Sequence, residues 1–108
     1  MLTTPFTTLK LIKASALNKG RARTWLEHPA ADMAAYGFGD GMRVDIVFND
    51  DAITVTANSE GKRKPTIRAG KFILDMCEPV ADRDARWGGA LKLRVDIAYG
   101  VIVIRRGI

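Results

Sequence analysis

His28 is the only histidine and Cys77 the only cysteine of the sequence, and between them they bound the chemistry available. A general acid or base role for His28 needs a reacting partner within reach. His28 instead stands immediately before Pro29, which opens a short helix, and reads as a residue of that helix start. Cys77 has Glu78 and Pro79 after it and no second histidine to activate it, so a packed thiol is expected rather than a nucleophile. One Cys and one His cannot supply a structural zinc site of the usual kind, and a lone cysteine excludes an internal disulfide. Asp40, Asp45, Asp50 and Asp51 look like a metal cluster on paper. Asp40, Asp50 and Asp51 fall at turns, where Asp serves local hydrogen bonding, and Asp45 is expected to point outward from a strand. Asp82 and Asp84 fall early in a second helix, where carboxylates suit the macrodipole. The glycine-rich GFGDG at 37–41 leads into a strand rather than a helix, so it is not a phosphate cradle. Acid, base and nucleophile are nowhere paired, and a non-catalytic protein with no metal or cofactor is expected.

The cations offer a different chemistry. The net charge is +5, and it is unevenly spread. Residues 1–30 carry Lys10, Lys13, Lys19, Arg21 and Arg23 against Glu27 alone; residues 31–58 carry Arg43 against five aspartates. Residues 59–71 are basic again, with Lys62, Arg63, Lys64, Arg68 and Lys71 against Glu60. Two basic loops therefore flank an acidic hairpin. Lys13, Lys19, Arg21 and Arg23 from one loop, with Lys62, Arg63, Lys64, Arg68 and Lys71 from the other, form a phosphate-binding groove if both lie at one end of the fold. The alternative is that these are solvated loops that keep a small domain soluble. Trp25 and Trp87 read as core or rim anchors rather than stacking platforms, so stacking on single strands is the lesser mode.

The elements that must position these groups are short and mostly extended. Residues 37–57, GFGDGMRVDIVFNDDAITVTA, read as turn, strand, tight turn and strand. Met42, Val44 and Ile46 alternate with Arg43, Asp45 and Val47, and Ile53 and Val55 alternate with Thr54 and Thr56. Asn49-Asp50-Asp51 is turn chemistry tolerant of positive φ. Residues 88–106 echo the plan: Leu91, Leu93 and Val95 take the parts of Met42, Val44 and Ile46, and Ile102 and Ile104 those of Ile53 and Val55. The offset is constant at 49 (42 to 91, 53 to 102). Before the hairpins, RTWLE (23–27) and FILDM (72–76) read as strands, and Pro29 and Pro79 open short helices closed by Gly37 and Gly88. A further strand is expected over 5–13, a loop over 14–21 and a polar surface connector over 58–70. The chain is one domain of two related halves, about 22–57 and 72–106. An isolated hairpin is marginal in water, so the halves are expected to interlock into a closed or nearly closed small β-barrel.

The residues in view resemble a known family. GFGDGMRVDIVFNDDAITVTA is similar to the hairpin signature of AbrB-like, swapped-hairpin barrel proteins. With Trp25-Leu26, Ala35-Tyr36-Gly37-Phe38 and Gly39-Asp40-Gly41 it resembles more closely the SymE-like branch. The chain from about 22 to 106 is also similar to a small phage and prophage domain sometimes found ahead of a DNA cytosine methyltransferase. The methyltransferase Pro-Cys motif is missing, since Cys77 follows Met76. The resemblance implies that two halves in one chain do what two AbrB-type subunits do as a dimer. It further implies a nucleic-acid-binding accessory protein, with DNA expected before RNA, in a bacterial host cytoplasm.

Two rival functions follow from the same residues. One is a phage inhibitor that binds a host defence complex, using Asp40, Asp45, Asp50, Asp51 and the hairpin-tip Tyr99. The other is a SymE-like toxin acting on RNA or the nucleoid. No apolar run approaches the roughly 20 residues of a membrane span, and residues 1–15 lack signal-peptide character. Homodimer formation is allowed, as AbrB relatives assemble further.

Overall fold

The structure, a computed structural model, describes residues 4–11, 16–17 and 20–107. It is mainly β, with two antiparallel sheets and two short helices. The elements run β1 (Phe6–Leu11), β2 (Ala16–Leu17), β3 (Arg21–Pro29), α1 (Ala30–Ala35), β4 (Val44–Phe48) and β5 (Ala52–Ala57). They continue with β6 (Thr66–Arg68), β7 (Lys71–Pro79), α2 (Val80–Trp87), β8 (Lys92–Ala98) and β9 (Val101–Arg106). The larger sheet has the order β1-β8-β9-β5-β4 and the smaller β2-β3-β7-β6.

The internal repeat is written into the pairing. β3 lies antiparallel to β7 with Trp25 opposite Asp75 at the centre, and β5 lies antiparallel to β9 with Thr54 opposite Val103 at the centre. These centres are 50 and 49 positions apart (25 to 75, 54 to 103), the spacing that separates the hairpins. Each half thus donates one strand to each cross-pairing, and neither half has a sheet of its own. Strand alternation then sets the faces. Ala22, Thr24 and Leu26 of β3 and Phe72, Leu74, Met76 and Glu78 of β7 point inward and are buried. A single hydrophobic cluster joins Leu26, Phe72, Leu74 and Met76 to Val44, Ile53, Val55, Val95, Ile97, Ile102 and Ile104 of the larger sheet, with Met33 and Trp87 supplied by the helices.

Several sequence expectations shift by local physics. β3 and β7 extend to nine residues each, because each is the other's ladder partner along its full length. Ala16–Leu17, expected as loop, pairs with the start of β3. The polar connector holds β6, and Arg63 makes an isolated bridge to Val44. Gly61 permits this close approach: a Cβ there would meet the Val44 carbonyl oxygen at 2.5 Å. Leu91 precedes β8 and is 73% exposed, so the buried positions of that strand are Leu93, Val95 and Ile97. The Asn49–Asp51 turn closes through Asn49 N–H to Ala52 C=O at 2.8 Å without a positive φ at any of its residues. The helices begin after Pro29 and Pro79, which sit at the caps, and run into Gly37 and Gly88 at φ 88° and 56°.

Candidate nucleic-acid interface

The outer face of the smaller sheet collects cations from both basic segments. Along β3 the residues opposite the buried set are Arg21, Arg23, Trp25 and Glu27; along β7 they are Lys71, Ile73, Asp75 and Cys77. β6 adds Thr66 opposite Ile73 and Arg68 opposite Lys71. Antiparallel pairing therefore places Arg21, Arg23, Arg68 and Lys71 on one face although they come from segments more than forty positions apart. Arg21 and Arg23 lie at one end of the β3–β7 ladder and Arg68 and Lys71 at the other, rather than together at one end of the fold. Arg21 and Arg23 both belong to the first basic segment, with Arg21 expected in a loop and Arg23 at the start of a strand. They sit on a strand, because the alternation that buries Ala22 and Thr24 leaves them facing out.

Three of these cations and one from the connector are held in place. The Arg23 Nε meets Asp75 Oδ1 at 2.7 Å, and its guanidinium lies 5.4 Å from the centre of the Trp25 ring. Arg63 Nη2 donates to the Asp75 carbonyl at 2.8 Å, Arg21 Nη2 to the Cys77 carbonyl at 3.2 Å, and Lys71 Nζ meets Glu27 Oε2 at 3.2 Å. Lys62, Lys64 and Arg68 are exposed. Lys13 and Lys19 lie outside the described residues. Trp25 is half-buried on this outer face, whereas Trp87 is buried and donates its indole N–H to Thr24 Oγ1 at 3.1 Å.

The acidic residues are dispersed. Asp45 accepts from Asn58 Nδ2 at 2.7 Å and from the Lys62 N–H at 3.4 Å, which fixes the connector to β4. Asp40 is exposed in its turn, and Asp50 and Asp51 are exposed at the β4–β5 turn beside Arg105 and Arg106. Tyr99 is 71% exposed at the second hairpin tip. Among the described residues no three or more His, Cys, Asp and Glu side chains are grouped as for a metal ion. Asp82 and Asp84 are exposed on α2. Cys77 is half-buried on the outer face, its Sγ 3.6 Å from Asp75 Oδ1, rather than packed in the core.

His28 lies against Phe6, ring centres 5.5 Å apart. Its Nε2 is 3.3 Å from Asp32 Oδ2, and its Nδ1 is 3.3 Å from Lys10 Nζ. Burial lowers its pKa below the ordinary value and Lys10 lowers it further, against the opposing pull of Asp32. A neutral ring that donates from Nε2 and accepts at Nδ1 satisfies both neighbours.

One feature escaped the sequence reading. Glu78 and Arg86, both about 5% exposed at the side chain, form a buried ion pair, and Arg86 Nε also donates to the Asn49 carbonyl at 2.7 Å. The pair lines a cavity of about 560 Å³ together with Arg21, Phe48, Asp50 and Asp82. The signal was there: Glu78 continues the inward alternation of Phe72, Leu74 and Met76, where a carboxylate needs a partner.

No protein-family model, curated protein or solved structure matches this chain.

Proposed function

We propose that this protein binds nucleic acid, DNA before RNA, through the outer face of the β2-β3-β7-β6 sheet, as a non-catalytic accessory or regulatory protein. The observation that carries the reading is the register that sets Arg21, Arg23, Arg68 and Lys71 on one face, with Arg63 anchored at its edge. Among the described residues of that face, only Glu27 and Asp75 oppose them, and both are engaged with cations. Arg21, Arg23 and Lys71 are thus pre-oriented, while Arg68, Lys62 and Lys64 project to reach phosphates. A sheet face of this kind tracks a backbone, and affinity comes mainly from counterion release. The resemblance to AbrB-like proteins supports the same reading. So does the exchange of strands between halves at β3–β7 and β5–β9, which suits a swapped-hairpin barrel, the finer fold we propose. A bacterial cytoplasm, in a phage or prophage setting, is the proposed place of action.

The test is a salt titration of binding to mixed-sequence duplex DNA, single-stranded DNA and RNA. Binding that weakens steeply with salt, and is lost in a variant carrying Arg21→Glu, Lys62→Glu, Lys64→Glu and Arg68→Glu, is expected. Absence of binding to all three polymers at low salt overturns the reading.

A further inference from the structure

The two halves treat one equivalent place differently. Around α1, the positions matching Glu78, Asp82 and Arg86 at an offset of 50 are His28, Asp32 and Tyr36. That place is filled. Phe6 packs on His28 at 5.5 Å and on Tyr36 at 5.1 Å, and the Tyr36 hydroxyl donates to the Thr4 carbonyl at 2.5 Å. Phe6 arrives there as the residue of β1 opposite Ile97 of β8. Around α2, the corresponding place is the cavity of about 560 Å³ lined by Phe48, Glu78 and Arg86.

The strand edge beside that cavity is the counterpart of the one β1 covers. β1 pairs along β8 from Lys92 to Ile97; at an offset of 49 the matching edge is that of β4. Val44 exchanges two backbone hydrogen bonds with Arg63, so Val44, Ile46 and Phe48 are the residues whose N–H and C=O face away from β5. β4 ends the sheet order, and among the described residues only its Val44 is bridged on that side. Ile46 and Phe48 therefore present the same edge that Val95 and Ile97 present to β1.

The cavity chemistry selects what would enter it. Glu78 is 4% exposed, and its Oε1 has no hydrogen-bond partner among the described residues, while Oε2 is taken by Arg86. Arg86 is also committed to the Asn49 carbonyl, and Arg21 donates to the Cys77 carbonyl. With Glu78 paired to Arg86, the remaining lining charges are Asp50 and Asp82 against Arg21, so the lining is acidic on balance. A buried acceptor oxygen in an acidic surround calls for a cationic N–H donor.

We propose that the free half of the β4 edge and this cavity together form a docking site for an extended segment of a partner protein. The segment adds antiparallel to β4, as β1 does to β8, and places a lysine or arginine opposite Phe48 so that its cation enters the cavity and donates to Glu78. Backbone hydrogen bonds to Ile46 and Phe48 supply register, and the cavity supplies selectivity. The site borders the outer cationic face at Arg21 and Cys77, but its β4 edge and the Glu78 carboxylate do not depend on the nucleic-acid reading.

The chain's own β1 provides the probe. Acetylated, amidated peptides of residues 3–9 are titrated onto the intact protein in three forms: unchanged, with Phe6→Lys and with Phe6→Glu. Amide shifts of Ile46 and Phe48 are followed by NMR. The Lys peptide is expected to shift both amides saturably and to bind at least about tenfold tighter than the Glu peptide, with the unchanged peptide between. Because the protein is unaltered, failure of a variant to fold cannot mimic the result. Equal binding of the Lys and Glu forms, or no shift at Ile46 and Phe48 up to millimolar peptide, overturns the proposal. Shifts of those amides that grow with protein concentration alone also overturn it, since the edge then serves a second copy.

Discussion

The Trp87 indole N–H and the Thr24 hydroxyl meet at 3.1 Å in the buried interior, so a helix of the second half is tied to a strand of the first. Thr24→Val keeps the shape and removes the acceptor, leaving a buried N–H without its partner. A loss of about 1–3 kcal/mol in urea unfolding is expected. Thr24→Ser, which restores the hydroxyl, is expected to recover most of it. If Val is as stable as Thr, the hydrogen bond is not a joint between the halves.

Glu78 and Arg86 are a second joint, ionic rather than neutral. Arg86 is also sandwiched, its guanidinium 5.5 Å from the Phe48 ring centre and 5.4 Å from that of Trp87. Removing one partner strands a buried charge. Arg86→Met is therefore expected to cost roughly 3–5 kcal/mol, and the pair Glu78→Leu with Arg86→Met is expected to be much closer to the parent. Chemical denaturation of the two singles and the double checks this, and strictly additive losses would show that the two do not act as a pair.

What the sequence discloses here follows from what alternation can encode. The repeat, both helices, both hairpins and the inward sets Ile53, Val55, Leu93 and Val95 are legible, because period-2 patterning and Pro and Gly punctuation are local signals. The cationic face is legible only as composition. Nothing local says that Arg23 and Lys71 share a surface; that depends on which strand β3 pairs with, a relationship of residues fifty apart. The same holds for Glu78, whose partner Arg86 is eight residues on but reaches it only because α2 folds back over β7. Size marks both tryptophans as core or rim anchors; parity in β3 is what sets Trp25 half-buried on the outer face while Trp87 is in the core.

Charge on the outer face has a direct readout. If Arg21 and Arg68 each neutralise one phosphate, then Arg21→Ala and Arg68→Ala are each expected to reduce the slope of log affinity against log salt by about 0.9 on duplex DNA. Asp50→Asn, which removes an anion and no phosphate contact, is expected to leave the slope unchanged. Thermal unfolding of all three is expected to stay near the parent, since the substituted side chains are exposed. A slope indifferent to Arg21 and Arg68 would place the contacts elsewhere.

Gly61 couples the connector to the β4 edge. A Cβ added there would lie 2.5 Å from the Val44 carbonyl oxygen, with the Val44 carbonyl carbon and amide nitrogen also under 3.0 Å. None of these is a flexible side-chain end, so Gly61→Ala must displace the connector or unfold its turn. A loss of roughly 1–3 kcal/mol is expected. Amide exchange localises it: the Val44 and Arg63 amides, which bond each other's carbonyls, are expected to lose protection before those of β5 and β9. Uniform loss across both sheets would mean that the connector is integral to the core rather than a strap on its edge.

His28 gives the fold a pH dependence whose sign is set by its surroundings. Burial and then Lys10 push its pKa below the ordinary 6.5, and Asp32, 58% exposed at its side chain, pulls back too weakly to reverse them. Between the lowered folded value and about 6.5 the unfolded chain binds the proton more readily than the folded one. Stability is therefore expected to be at its full value above about 6.5 and to fall as pH drops through that window. Protonation would set a cation against Lys10 Nζ at 3.3 Å and beneath Phe6, so the N-terminal strand β1 is the part expected to loosen first. His28→Gln can donate to Asp32 and accept from Lys10 without titrating. It is expected to flatten the stability profile near neutral pH while leaving the high-pH plateau nearly unchanged. A parent profile that rises as pH falls through 6.5 would mean that the Asp32 pairing dominates and His28 is charged in the fold.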